Sequence, residues 1–300
     1  IGTGRLARAI GPLLVEAGYP VLAVVGRRPA AARSVARTIP GARASVSLAR
    51  GLSGAELVLL AVPDREIVPL ARRLAQQRKI DWSVKIVLHH AGSLGPDALA
   101  PLERVGAATG LLHPMQALAS PESAREVLAG SRARIEGSER AVSTARRLAR
   151  SLGLVPLAFP APLDEAGRTA YHAAASLASN DVVALLATAA DVLETTGLAR
   201  AEAIDALSRL AAGALAQTDA AGPGRGLTGP VVRGDATTVA EHLRVLGAVS
   251  PSHAQIHRLL SARLLALVED RGLRLTPAAR RRLRRLLTAA PGGRQRGPTV

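Results

Sequence analysis

Two patterns of apolar residues, divided near Pro160, constrain this chain more than any other feature. Before Pro160, short apolar runs alternate with segments of helical spacing: Val21–Gly26 (VLAVVG), Glu56–Val62 (ELVLLAV), Lys85–Gly92 (KIVLHHAG) and Thr109–Met115 (TGLLHPM). Continuous runs of this length, bounded by turn residues, predict buried strands, and their alternation with helices predicts a parallel sheet. Helices are expected over RLARAIGPLLVEAGY, PAAARSVARTI, IVPLARRLAQQ and ERAVSTARRLARSLG, and short edge strands over SRARIEG and LVPLAF, about six strands in all. After Pro160 the two-residue period is gone. The stretch from Asp164 to Gly197, and then ARAEAIDALSRLAAGALAQT, ATTVAEHLRVL and PSHAQIHRLLSARLLALVEDRG, all read as helix. The expected fold is α/β: a doubly wound, mostly parallel sheet over residues 1–160, an all-α domain over 161–290 and a disordered Gly/Pro-rich tail over 291–300.

Composition removes several chemistries. There is no cysteine, so disulfides, thiolate catalysis and cysteine-ligated zinc are excluded, which suits a reducing cytoplasm, the expected location. The longest apolar stretch, around VVALLATAADVL, is bordered or interrupted by Asn180, Asp181 and Asp191 and is expected not to span a membrane. A formal charge of +16 raises the question of nucleic acid. The dense cluster ARRRLRRLL, however, places Leu283, Leu286 and Leu287 at helical spacing, the pattern of an amphipathic helix with a solvated basic face. Aromatic residues make up 1% of the chain, too few for a base-stacking platform.

The chemistry-bearing motif stands at the start. Gly2-Thr3-Gly4-Arg5-Leu6-Ala7 reads as G-x-G-x-x-A, which in a β-α-β setting turns tightly and aims helix amides at a pyrophosphate. An unrelated glycine turn is the plainer alternative. Only Ile1 stands where the preceding strand belongs, so the sequence is expected to be an N-terminally truncated copy, with several mostly apolar residues ahead of Ile1. At the end of the second strand, an acid would chelate the ribose of NAD; here the sequence is Gly26-Arg27-Arg28-Pro29. Two guanidiniums without a carboxylate fit a 2′-phosphate, which makes NADP the expected cofactor and NAD the second choice. The turn Ala61-Val62-Pro63-Asp64 and the segment His89–Gly95 (HHAGSLG), with Ala91 and Gly92, lie at strand ends and complete the expected cofactor contacts.

Four residues are candidates for catalysis: His172, Ser176, Asn180 and Arg233. On YHAAASLASN, His172, Ser176 and either Ser179 or Asn180 share a helical face, as a substrate cleft or a buried polar network would require. A histidine there could protonate the oxygen formed on hydride addition, with Ser or Asn holding that oxygen. In LTGPVVRGD, Arg233 is a candidate clamp for a substrate carboxylate, and Asp235 reads more simply as a helix N-cap. His113 and Gln116 follow a strand end, in a catalytic or a structural role. His253 and His257 have metal-pair spacing but no evident third ligand, so no metal is expected.

Taken together, IGTGRLA, LLAVPD, HHAGSLG, LLHPMQAL, YHAAASLASN and LTGPVVRGD resemble the Rossmann-like proteins that carry a helical C-terminal domain of unknown function, within the 6-phosphogluconate dehydrogenase-like superfamily. Pyrroline-5-carboxylate reductase is a more distant relative. The resemblance implies a nicotinamide-dependent oxidoreductase, dimeric through its helical domains, and implies no substrate. Related hydroxyacid dehydrogenases and ketopantoate reductases place a lysine on the helix matching YHAAASLASN, whereas the only lysines here are Lys79 and Lys85. Ketone reduction would then need His172 or water, while an imine arrives already protonated. The expected activity is hydride transfer between NADP and a small, carboxylate-bearing oxo- or imino-acid. A non-catalytic NADP-binding sensor is the alternative, and a nucleic-acid-binding protein a weaker one.

Overall fold

The computed structural model describes residues 1–118, 120–222, 227–270 and 275–288. The chain forms two compact units, Ile1–Ser179 and Asn180–Val300, so the division falls within a long helix rather than at Pro160. The expected tail over 291–300 lies outside the described residues.

The first unit runs α1 (Arg5–Glu16), β1 (Ala23–Val25), α2 (Pro29–Ala36), β2 (Arg43–Ser45), α3 (Leu48–Leu52), β3 (Leu57–Leu60), α4 (Asp64–Ala75) and β4 (Ile86–His89). A 3-10 turn at Pro96–Leu99 leads into α5 (Ala100–Glu103), followed by β5 (Ala108–Pro114), α6 (Ala124–Leu128), β6 (Arg132–Gly137), α7 (Glu139–Ser151) and β7 (Val155–Pro156). Strands β3-β4-β5-β6-β7 form one sheet in that order, parallel except for the antiparallel β5–β6 pair, and β1 pairs with β2 in a parallel ribbon. Ile1 and Gly2 bridge the two. The Ile1 nitrogen donates to the Leu59 carbonyl at 2.5 Å, its carbonyl accepts from Ala61 N at 2.7 Å, and Gly2 N donates to Val25 O at 2.9 Å. Beyond Ile1, β1 and β3 flank a groove of about 510 Å³ lined by apolar side chains including Ile10, Leu14, Val24 and Leu57.

Burial is continuous along β4 and nearly so along β5, as a sheet covered on both faces demands, and successive side chains enter opposite layers. In β4, Ile86 and Leu88 join Ile10 and Leu14 of α1 and Leu148 of α7. Val87 points the other way, into a cluster with Leu70 and Leu74 of α4 and Leu99 and Leu102. The apolar spacing on α7, Ala141, Thr144, Ala145, Leu148 and Ala149, is what buries one stripe of that helix. Strand β2 has no apolar run: Arg43 and Ala44 are exposed and Ser45 half-buried, and pairing with β1 is what makes them a strand.

The second unit contains the rest of α8 (Glu165–Glu194), which crosses the division, then α9 (Arg200–Ala221), α10 (Pro230–Arg233), α11 (Ala236–Val249), α12 (Pro251–Asp270) and α13 (Pro277–Thr288). Its core gathers Val231, Val239, Leu243, Leu265 and Leu283. Asp235 caps α11 by accepting from Thr238 N at 3.0 Å and from the Thr238 hydroxyl at 2.6 Å, and these bonds hold its carboxyl below the usual range. Helix α13 is amphipathic as its leucines predict: Leu283 and Leu287 are buried, and Arg284 and Arg280 reach Glu269. In contrast, α8 buries only Tyr171 and Ala190 of its thirty residues. By length and composition it is the one helix among the described residues apolar enough to cross a membrane.

Candidate functional site

The glycine turn adopts the geometry its sequence requires. Gly2 has φ 129°, and a Cβ there would collide with the Ala61 carbonyl, so only glycine lets the turn pack against the end of β3. Gly4 is the N-cap of α1. It supplies no side-chain cap, and the first turn carries no acid. The leading amides of α1 therefore lack a partner of their own, and a Cβ on Gly4 would meet nothing within 4 Å. That opening faces a cleft of about 380 Å³ with Gly2, Thr3, Gly4 and Arg27 on one side and Val62, Pro63, Glu66 and Arg73 on the other.

Of the expected cofactor contacts, Gly2, Thr3, Gly4, Arg27, Ala61, Val62 and Pro63 line this cleft. Arg5 and Arg28 are exposed outside the lining, and Leu6 packs on the core beneath α1. Ala91 is a core residue, and Gly92 is buried against His113. Two charged lining residues escaped the sequence reading. Glu66, one turn into α4, lies 3.9 Å from the Arg27 guanidinium, and Arg73, two turns further on, also lines the cleft. Their signal was the 3.6-residue period of α4, which sets positions 66, 69, 70 and 73 on one face.

Past Pro63 the wall continues into a polar cluster. Asp64 accepts a hydrogen bond from Ser93 Oγ at 2.5 Å, tying the start of α4 to the loop after β4. Beneath that loop lies Arg134, fully buried. Its Nε and Nη2 donate to Glu136 Oε1 and Oε2 at 2.7 and 2.9 Å, and Nη1 donates to the carbonyls of Gly92 and Leu94 at 3.0 and 3.2 Å. The guanidinium carbon stands 5.6 Å from the centre of the Tyr171 ring. The Tyr171 hydroxyl is 2.9 Å from His113 Nδ1, and the two rings meet edge to face. The β5–β6 register pairs His113 with Arg134 and Leu111 with Glu136, which is why these groups share one face.

Three histidines crowd the ends of β4 and β5, and burial pushes all three towards the neutral form. His89 accepts from Ala91 N at Nδ1 and so donates from Nε2 to the Gly95 carbonyl at 3.0 Å. His90 donates from Nδ1 to the Leu112 carbonyl at 2.5 Å, leaving Nε2 buried without a partner; its pKa is lowered to about 4. His113 is also lowered to about 4, by burial first and then by His172. Burial pushes Tyr171 up to about 12.

The helical candidates stand differently. His172, next to Tyr171, is exposed; Ser176 is half-buried and Asn180 exposed, one and two turns on. Ser179 donates to the Ala175 carbonyl of its own helix at 2.8 Å. Arg233 is exposed at the end of α10. Gln116 turns from the cluster to Val127 O and Ser131 Oγ. The metal-spaced pair separates: His253 lies 3.3 Å from Asp191, while His257 faces His242 with ring centres 5.5 Å apart. No group of three or more metal-ligating side chains forms among the described residues.

Residues 1–114 match the Rossmann-like domain, and residues 131–264 match the Domain of unknown function DUF2520. No curated protein is a significant match. Among solved structures, the chain is similar to BF3122 of Bacteroides fragilis, a proposed NADP oxidoreductase, at 24% identity and TM-score 0.70 over 88% of this chain and 96% of that one. It is similar to protein TM1727 of Thermotoga maritima at 24% identity and TM-score 0.65, over 90% and 97%. A pyrroline-5-carboxylate reductase of Coxiella burnetii shares 18% identity at TM-score 0.55, over 95% and 96%. At such identities the likeness speaks to the fold. The chain is a mostly parallel α/β fold of the Rossmann-like kind followed by a helical region, α8 to α13, and the stretch that matches DUF2520 runs from β6 into α12.

Proposed function

We propose that this chain is an NADP-dependent oxidoreductase acting on a small, carboxylate-bearing oxo- or imino-acid, and that it works as a homodimer. The observation that carries the reading is the uncapped N-terminus of α1 opening on to a 380 Å³ cleft, with no side chain between its amides and the space. Helix amides and the positive end of the helix dipole favour a phosphate there. Arg27 and Arg73 would hold the adenosine phosphate, and their two positive charges outweigh the single carboxylate of Glu66. A bound reduced nicotinamide supplies a hydride. Among the relatives are a proposed NADP oxidoreductase and a reductase of pyrroline-5-carboxylate, and both share this fold. The dimer rests on the apolar side chains that α8 and α9 leave in water, including Val183, Ile204, Leu210 and Leu215.

Fluorescence titration with NADPH and NADH tests the reading. NADPH is expected to bind more tightly, and Arg27→Ala and Arg73→Ala should each erode that preference about tenfold, the worth of one charged hydrogen bond. A protein that binds neither nucleotide is not this enzyme. One that binds NADPH but oxidises it with no oxo- or imino-acid is a sensor.

A further inference from the structure

His89, His90 and His113 stand together, yet their hydrogen bonds leave them with different faces to offer. His89 has both ring nitrogens engaged by the backbone. His90 directs its proton at the Leu112 carbonyl, and its other nitrogen is sealed in the interior. His113 is half-buried, and its one hydrogen bond is to Tyr171. Tyr171 is 8% exposed and has no other hydrogen-bond acceptor among the described residues. If His113 Nδ1 carried the proton, the Tyr171 hydroxyl hydrogen would be buried without an acceptor, at a cost of about 1–3 kcal/mol. The hydroxyl therefore donates to Nδ1, and the imidazole proton sits on Nε2. That nitrogen lies over Gly92, so close that a Cβ at position 92 would stand 2.8 Å from it. No residue among those described accepts from Nε2.

We propose, resting on the reductase reading above, that His113 Nε2–H donates a hydrogen bond to the reacting oxygen or nitrogen of the substrate, and that Tyr171 is its positioning residue. Hydride arriving at the carbon of a C=O or C=N bond drives the π electron pair on to the heteroatom, where Nε2–H meets the negative charge developing on an oxygen or the lone pair forming on a nitrogen. A protonated imine then becomes the amine with no further proton, and an alkoxide takes its proton from water. The imidazole stays neutral throughout: burial opposes its protonation first, and the Arg134 guanidinium opposes it too, against the carboxylate of Asp64. Arg134 holds the arrangement from below, bound to the loop that carries Gly92 and stacked on Tyr171.

Nitrogen-15 NMR of the free protein reads the tautomer. The expected wild-type signature is a neutral His113 protonated at Nε2, and in Tyr171→Phe a mixture of both tautomers. A ring protonated at Nδ1 in the wild type overturns the assignment. With saturating NADP⁺, the His113 Nε2 resonance should move when pyrroline-5-carboxylate or pyruvate is added as the probe; indifference to both overturns it. NADPH oxidation with the better probe should fall about 100-fold in kcat for His113→Ala. Tyr171→Phe, nearly isosteric and expected to fold, should lose less. NADPH affinity should be unchanged in both variants. Undiminished kcat in His113→Ala removes His113 from the reaction while leaving the reductase reading intact, whereas a wild type that does not bind NADPH removes both.

Discussion

A guanidinium cut off from water has to be matched donor by donor, and Arg134 is: two carboxylate oxygens and two backbone carbonyls accept from it. Removing one partner of such a pair leaves an uncompensated buried charge. Glu136→Ala should therefore cost about 3–5 kcal/mol in denaturant unfolding, whereas replacing both members together, Arg134→Met with Glu136→Leu, should cost less. A single-variant loss under about 1 kcal/mol would mean that water reaches the pair. At this scale the sequence was only partly legible. Helical spacing shows that His172 and Ser176 share a face, but spacing along one element does not reveal what lies across from it. His113, Arg134 and Glu136 meet through an antiparallel register between two strands that a single sequence leaves open. SRARIEG read as a short edge strand, whereas β6 lies between β5 and β7 with the charged side chains of Arg134 and Glu136 buried.

Helix α1 separates two glycines that a motif treats alike. Gly4 has ordinary dihedrals, φ −81°, and open space where a side chain would go. Gly4→Asp should fold normally, and its carboxylate can cap the helix, adding roughly a few tenths of a kcal/mol of stability over glycine. The same carboxylate would occupy the position proposed for the phosphate, so NADPH affinity should fall at least tenfold; unchanged affinity would place the nucleotide elsewhere. Gly2→Ala should fail differently, losing thermal stability because φ 129° and the Ala61 carbonyl both exclude a Cβ. The elements themselves were readable wherever apolar residues run together, as in β3, β4 and β5. Strand β2 and the five-residue helices α3 and α6 were not, since three to five residues held by tertiary pairing carry no period of their own.

For the whole molecule, His90 and His113 contribute to the response to acid. His90 and His113 are lowered from 6.5 to about 4 in the folded chain, so between those values the unfolded chain binds more protons. Their contribution to stability is complete above pH 6.5 and is lost as pH falls towards 4. The melting temperature should decline across that window, and a flat profile would show that both rings are open to solvent. The apolar surface of α9 makes a second prediction. Sedimentation should give a dimer, and Leu210→Arg with Leu215→Arg should give a monomer that still binds NADPH; a wild-type monomer would refute the pairing. One consequence follows from the way Arg134 grips the loop after β4. It holds that loop by carbonyl oxygens, which every amino acid possesses, so the anchorage does not depend on which side chain stands at position 93. Replacements there would give up the Ser93 bond to Asp64 yet leave the carbonyls of Gly92 and Leu94 in the grip of Arg134, whereas Gly92 itself, against the His113 ring, has no room for a side chain.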